Sequence, residues 1–193
     1  MKKDLTATAV GLIVLTLVLG LLYPLAVTGV GQVAFNDAAN GSQVQLDGRV
    51  VGSRLLGQGF RTARYFHSRP SQTDWNPSAT AFSNAGPNGA DTRDAISERA
   101  AAYLETEGRY DAGLTRAEIP PDAVQTSASG VDPHITVANA RIQAHRIAAV
   151  RQLPLDRVEQ LIDANTDGRG LGLFGEPGVN VLELNLALDK ETR

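Results

Sequence analysis

The chain has 193 residues, no cysteine, and 18 basic against 21 acidic side chains, which gives a formal net charge of −3 at neutral pH. The lack of cysteine excludes disulfides and thiolate chemistry, and the acidic balance argues against binding to nucleic acid or to anionic lipid headgroups. Residues 5–36 carry no charged side chain, whereas the rest of the chain is mixed and polar. We therefore predict an N-terminal segment with an apolar anchor, residues 1–35, and one soluble domain, residues 36–193.

The run from Leu5 to Tyr23 is long enough to cross a membrane as a helix. It contains eleven Leu, Ile and Val residues, and its length at about 1.5 Å per residue is roughly 28 Å, close to the hydrocarbon thickness of a bilayer. A cleaved signal peptide is the alternative, but its apolar core spans only about 7–15 residues. We predict a retained anchor whose regular helix is ended or kinked at Pro24.

The charges on either side of the apolar run predict its orientation. Lys2 and Lys3 precede the run, and the first charged residue beyond it is Asp37. Positively charged flanks stay on the cytoplasmic side of a membrane. We therefore expect a single-pass protein with its N-terminus in the cytoplasm and its C-terminal domain outside.

Small residues recur four positions apart within the anchor, in the pairs Ala7/Gly11 and Thr16/Gly20. At about 100° per residue the two pairs lie on roughly opposite faces of a helix. Small faces let neighbouring membrane helices approach closely, although small residues are also common in membrane helices that make no such contact. The two pairs are our candidates for packing against partner helices.

Periodicity and turn residues predict the elements of the soluble domain. Apolar residues with helical spacing, such as Ile96, Ala100 and Tyr103, indicate a helix, and the alternation of Leu with polar residues after Val181 indicates a half-buried strand. This mixture predicts an α+β fold. The predicted elements are, in chain order, a hairpin of residues 43–46 and 49–52 around Asp47-Gly48, an irregular loop at 69–90 that contains Trp75 and Phe82, a helix at 91–107, a short strand at 123–126, helices at 136–152 and from Pro154, a glycine-rich loop at 165–178, and a strand at 182–188.

Two motifs resemble ligand sites but fail tests of context. Residues 170–175 match G-x-G-x-x-G, yet a dinucleotide site needs a strand before the motif and a helix after it, and here a helix precedes and Pro177 follows. Asp163, Asn165 and Asp167 begin like a calcium loop, but its twelfth position is Phe174 where a bidentate carboxylate is required. We predict no metal or cofactor site from either motif.

Four polar residues crowd into one short stretch, namely Ser127, Ser129, Asp132 and His134. A serine hydrolase normally draws its triad from distant segments, so we favour a hydrogen-bonded turn that precedes a helix. A membrane-anchored extracytoplasmic serine hydrolase using Ser129 and His134 stays the alternative. Together with Arg69, the four residues are also our candidates for contact with a partner protein.

A set of motifs, in this order behind one anchor, resembles the KdpC family, the C subunits of the bacterial potassium-transporting P-type ATPase. The similarity covers essentially the whole chain. The matching motifs are Tyr23-Pro24-Leu25 with Thr28-Gly29, Ala39-Asn40-Gly41-Ser42, Gly52-Ser53 through Gly57-Gln58, Tyr65-Phe66 with Arg69-Pro70-Ser71, Ser83-Asn84 with Gly86-Pro87, Ser127 through Ile135, and Gly175-Glu176-Pro177 through Val179-Asn180-Val181-Leu182.

The resemblance implies a non-catalytic accessory subunit of a complex in the bacterial inner membrane. Its implied partners are a channel-like potassium-binding subunit, a P-type ATP-hydrolysing subunit and a very small membrane subunit, which together import potassium. The family is described as aiding assembly and raising the ATP affinity of the catalytic subunit. ATP and Mg²⁺ would be used by that partner, and the predicted orientation puts this domain on the side of the membrane opposite to ATP, so its effect would pass through the partner subunits.

Overall fold

The computed structural model describes residues 2–79, 81 and 83–191, so Phe82 lies outside the described residues. The chain divides into two compact units between Val51 and Gly52. The first unit carries a long apolar helix, and the second contains helices and short strands around a hydrophobic core. The predicted α+β class with one long N-terminal helix is thus confirmed.

The N-terminal helix is continuous from Lys2 to Ala34, and among the described residues it is the one helix that is long and apolar enough to cross a membrane. It consists of α1 (Lys2–Leu17), a π-helical turn (Val18–Leu22) and α2 (Tyr23–Ala34). The helix does not end at Pro24. Proline lacks the N–H for the usual bond to the carbonyl four residues back, and here the preceding Tyr23 N–H bonds to Val18 O, five residues back, so the chain stays helical.

A short helix and a hairpin follow the long helix along the chain. Helix α3 spans Asn36–Ala39, and strands β1 (Gln43–Leu46) and β2 (Arg49–Ser53) form a two-stranded sheet. Asp47 and Gly48 both have positive φ angles, 51° and 76°, as a tight primed turn requires. The predicted hairpin is confirmed.

In its described residues, the second unit contains five further α-helices and a small antiparallel sheet. Its three strands are ordered β3-β5-β4, with His134 opposite Asn180 and Asp167 opposite Gly178. The elements of this unit are α4 (Ala90–Glu107), a 3-10 turn (Arg116–Glu118), α5 (Pro121–Val124), β3 (His134–Ile135), α6 (Val137–Arg151), α7 (Leu155–Ala164), β4 (Thr166–Asp167), β5 (Gly178–Asn180) and α8 (Val181–Glu191).

Helix α6 lies at the centre of this unit. Thr136 caps its start by accepting the Asn139 N–H, and Gln152 ends it in a left-handed conformation. Its apolar side chains pack against α7, α8 and β5. Phe66 joins them from the stretch between β2 and α4, which is called the long loop below. The fully buried members of this core include Phe66, Ala140, Ala144, Ile147, Val158, Ile162, Val179, Leu184 and Leu188.

The predicted strand at 182–188 is wrong, because this segment is helix α8. The buried residues of α8 are Val181, Leu182, Leu184, Asn185 and Leu188, and their spacing of three and four residues is that of a helix face. Asn185, which the strand pattern placed outward, is buried: its amide accepts from Phe66 N–H at 2.8 Å and donates to Phe66 O at 3.0 Å. Because the buried face of this helix contains the polar residue Asn185, the sequence shows the alternation that is typical of a strand.

The predicted strand at 123–126 is also wrong. Pro121 opens the short helix α5 instead, at a position where its missing N–H costs nothing. The Asp122 carboxylate then accepts bonds from Thr136 and Asn139 at the start of α6. By contrast, the irregular loop predicted at 69–90 is confirmed for its described residues before α4. Trp75 of this loop packs against Gly59 and Arg61, which precede it in the chain.

Candidate functional site

The segment 127–134 is docked onto the long loop that precedes α4. Ser127 N–H donates to Pro70 O at 3.1 Å, Gly57 N–H donates to Val131 O at 2.7 Å, and the Ser71 hydroxyl donates to Gly130 O at 2.6 Å. Three backbone positions of one loop are thus fixed by another segment. The arrangement is a rigid surface element, which suits a contact site better than a mobile lid.

Three of the predicted contact residues lie in one chain of polar contacts. Arg69 Nη1 donates to Asp132 Oδ2 at 2.9 Å, and Asp132 Oδ1 accepts the backbone N–H of His134 at 3.0 Å. The His134 ring reaches Asp167 on β4, with Nε2 2.9 Å from Oδ2. Gly178 makes this possible, because a Cβ there would lie only 3.2 Å from the His134 Cβ.

The two serines have structural roles in the same segment. Ser127 is buried, and its hydroxyl oxygen accepts the Gly130 N–H at 2.9 Å. Ser129 is exposed, and its hydroxyl oxygen accepts the Val131 N–H at 3.2 Å. Among the described residues no hydrogen bond joins His134 to a serine hydroxyl, so the geometry gives the serine hydrolase hypothesis no nucleophile and base pair.

The docking of this segment predicts a strong effect for Gly57→Ala. A Cβ at Gly57 would overlap the backbone oxygen of Asp132, and backbone cannot swing aside as a flexible side chain can. We expect a loss of about 1–3 kcal/mol in the free energy of unfolding of the full chain in detergent, measured by chemical denaturation.

Gly168→Ala is the matched control for that substitution. Nothing lies within 4 Å of a Cβ at Gly168, so stability should change little. Equal stability of the Gly57→Ala variant and the wild type would show that the close approach of these two loops is not needed for the fold.

The second unit also contains a buried polar network that the sequence did not predict. Arg146 is fully buried, and its Nε lies 3.0 and 3.1 Å from the two carboxylate oxygens of Glu107. Its other nitrogens donate to the carbonyl oxygens of Ala63 and Tyr65 and to the Gln143 side chain. Burial raises the pKa of the Glu107 carboxyl, and the Arg146 guanidinium opposes that rise. The network ties α4, α6 and the long loop together.

A cavity of about 400 Å³ opens beside this network. Its walls include Trp75, Arg99, Tyr103 and His67. Burial raises the pKa of Tyr103 far above its ordinary value, so its hydroxyl stays protonated and donates to Asn139 Oδ1 at 2.9 Å. Burial, together with the nearby Arg146 charge, lowers the pKa of His67 to about 4, so this imidazole is neutral at physiological pH.

The lowered pKa of His67 predicts a pH dependence of stability. The unfolded chain takes up a proton at His67 near pH 6.5, whereas the folded chain resists protonation until about pH 4. The stabilisation that neutral His67 gives the folded chain is therefore complete above pH 6.5. The free energy of unfolding then declines by about 2–3 kcal/mol as the pH falls from 6.5 to about 4. Denaturant titrations of wild type and His67→Gln should converge toward acid pH, and parallel pH profiles would contradict the assignment.

The structure describes the local geometry of both ligand-like motifs. Residues 170–175 form a tight loop bridged between Gly170 and Phe174, and the next element along the chain is strand β5. Among the described residues no group of three or more His, Cys, Asp or Glu side chains is arranged to hold a metal ion. Asp167, predicted to resemble a calcium ligand, instead contacts His134.

The polar network escaped sequence analysis because its members lie far apart in the chain. Glu107 ends one helix and Arg146 lies on another, and helical spacing alone does not show which helix faces which. One signal was available: Gln143 and Arg146 share the face of α6 that carries Ala140, Ala144 and Ile147. Polar residues on an apolar face indicate buried partners.

The four small residues of the N-terminal helix lie within residues 2–30, all of which are exposed. A Cβ at Gly11 would meet nothing within 4 Å, and one at Gly20 would meet only Thr16 Cγ2 at 3.9 Å. Thr16 and Gly20 are thus neighbours along one face. Contact of these faces with a partner helix stays a prediction, as does contact through Arg69 and the 127–134 segment.

Comparison with known proteins gives consistent matches over the whole chain. A family model described as KdpC, K+-transporting ATPase, c chain, matches residues 5–190. A potassium-transporting ATPase KdpC subunit from Mycobacterium tuberculosis is 46% identical over 192 residues, which covers 98% of this chain and 100% of the relative. A KdpC subunit from Cereibacter sphaeroides is 46% identical over 189 residues, covering 98% of each chain. One from Myxococcus xanthus is 50% identical over 187 residues, covering 95% of this chain and 86% of the relative.

Proposed function

This chain belongs to the KdpC family of potassium-transporting ATPase C subunits, and we propose that it is a non-catalytic subunit that holds its complex together. Its partners are the other Kdp subunits: a channel-like potassium-binding subunit, an ATP-hydrolysing subunit and a small membrane subunit. The observation that carries this proposal is the long N-terminal helix, whose apolar residues from Leu5 to Val30 are all exposed. A membrane helix with two small faces suits contact with other membrane helices better than a simple tether.

The proposed orientation sets how this subunit influences ATP use. With Lys2 and Lys3 in the cytoplasm, the second unit lies outside, across the membrane from ATP. A rise in the ATP affinity of the catalytic subunit is then a coupling between conformations of the complex, in which this subunit binds one conformation more tightly than the other. Mg²⁺ and ATP are bound by the partner, and this chain needs neither.

The second unit would act as a rigid contact surface in that assembly. The docked segment 127–134 and Arg69 present polar groups at fixed positions, and the exposed Ser129 lies at their edge. The ion pairs and backbone bonds that fix this segment lower the entropy lost when a partner binds it. The same segment offers no nucleophile and base pair, which disfavours the hydrolase alternative.

A pull-down tests the proposal directly. The tagged full-length chain would be purified in mild detergent from membranes of potassium-starved cells, followed by mass spectrometry and a potassium-stimulated ATPase assay. We expect recovery of a P-type ATPase and a channel-like subunit, and we expect a higher KM for ATP when this chain is omitted. A chain that is recovered alone, or activity that does not depend on it, would overturn the proposal.

A further inference from the structure

One loop of the second unit exposes a concentrated apolar tip. Leu171, Leu173 and Phe174 are 91%, 77% and 69% exposed. Large apolar side chains at this exposure are common singly, but three within four residues form a patch that indicates an interaction site. The G-x-G-x-x-G pattern at 170–175, from which no nucleotide site is predicted, does not explain these exposed side chains.

Backbone geometry holds the tip in this form. Gly170 N–H donates to Phe174 O at 2.8 Å, and Phe174 N–H donates back to Gly170 O at 2.9 Å. Between them Leu171 and Gly172 have positive φ angles of 52° and 76°. The closed turn presents its side chains outward. The two backbone hydrogen bonds and the positive φ angles therefore hold the loop in a shape that keeps its apolar side chains at the surface.

The charges next to the tip neutralise each other. Arg169 Nη2 lies 2.7 Å from Glu176 Oε2, so an ion pair joins the two residues that flank the loop. Residues 170–175 themselves carry no charge. Because the tip is uncharged and the charges that flank it are paired, it can move from water into an apolar environment without burying an unpaired charge.

We propose that this tip inserts into the interfacial region of the bilayer that holds the anchor. The bilayer is a partner that the chain brings with it, since one helix of the same chain is long and apolar enough to cross it. This confinement keeps the loop at high effective concentration near the lipid surface, so three side chains are enough for a second, weak contact. Insertion would fix the orientation of the second unit against the membrane.

The small area of the tip favours lipid over a protein partner or a second copy of this chain. A stable protein interface buries roughly 600 Å² or more on each partner and involves about 20–30 residues a side, whereas the tip offers three large apolar side chains, of which the single aromatic ring accounts for about 150–250 Å² at most. Lipid insertion needs no complementary surface. Because residues 170–175 are uncharged, the contact depends on apolar burial, and we expect it to be nearly independent of ionic strength.

Site-specific fluorescence tests the proposal in the full-length chain. The sequence contains no cysteine, so Leu173→Cys can carry a single environment-sensitive fluorophore in vesicles of phosphatidylcholine that contain a brominated quencher lipid. We expect quenching at least about threefold stronger at this site than at the labelled control Arg93→Cys, which lies exposed on α4. Leu173 lies outside the core, so its replacement should leave the fold intact.

Two results of the fluorescence measurement would contradict insertion into the bilayer. Equal quenching at the two sites would overturn the insertion. Shielding of the label that appears only after the other Kdp subunits are added would identify a protein partner as the occupant, and would also overturn it. The test does not depend on potassium transport, so its failure would leave the proposed accessory function untouched.

Discussion

Replacing Arg146 with leucine is expected to lower the free energy of unfolding of the chain by about 3–5 kcal/mol. The guanidinium is fully buried and is the ionic partner of Glu107, which is itself only 2% exposed. Without it, Glu107 is left as an uncompensated buried carboxyl, and the carbonyl oxygens of Ala63 and Tyr65 lose their donor. Denaturant titration of the full chain in detergent measures the loss.

Two further variants separate the buried pair from general damage to α6. Arg141→Leu removes an exposed arginine from the same helix, whose 3.6 Å contact with Asp163 is solvated, so the change should be about 1 kcal/mol or less. The double variant Glu107→Leu/Arg146→Leu removes both charges and should recover part of the loss. A double variant no more stable than Arg146→Leu alone would contradict a paired burial of charge.

Replacing Gly11 and Gly20 together with leucine should weaken retention of the partner subunits during purification by about tenfold. Neither glycine is packed within the chain: nothing lies within 4 Å of a Cβ at Gly11, and Thr16 is 3.9 Å from one at Gly20. A bulkier side chain therefore does not disturb the helix itself, and its cost arises from contact with another helix. Subunit yield per tagged chain in a detergent pull-down gives the measurement.

Thr8→Leu is the control for this pair. At about 100° per residue it places a leucine side chain of the same final size roughly 80–100° away from either small face, so partner retention should stay near that of the wild type. Equal retention in all three proteins would show that the small residues are a feature of composition, and it would remove the proposed packing faces. An equal loss from Thr8→Leu would indicate a contact that surrounds the helix.

Local signals predicted the elements that obey local rules. The hairpin at Asp47-Gly48 and helix α6 were found because turn chemistry and capping depend on neighbours within a few residues. Helix α8 was missed because Leu182, Leu184, Leu186 and Leu188 alternate in sequence, and only the pairing of Asn185 with Phe66 shows which side is inside. Periodicity assumes that buried means apolar, and this helix breaks that assumption.

By itself, the sequence determined the long apolar N-terminal segment, the α+β class and the family, because each depends on composition or on the order of motifs along the chain. Only the tertiary structure decided what the motif residues do. Arg69 meets Asp132 across 63 positions of sequence, and Arg146 meets Glu107 across 39. Such pairs are brought together by packing of the core, and the burial that makes them matter for stability has no local signature in the chain.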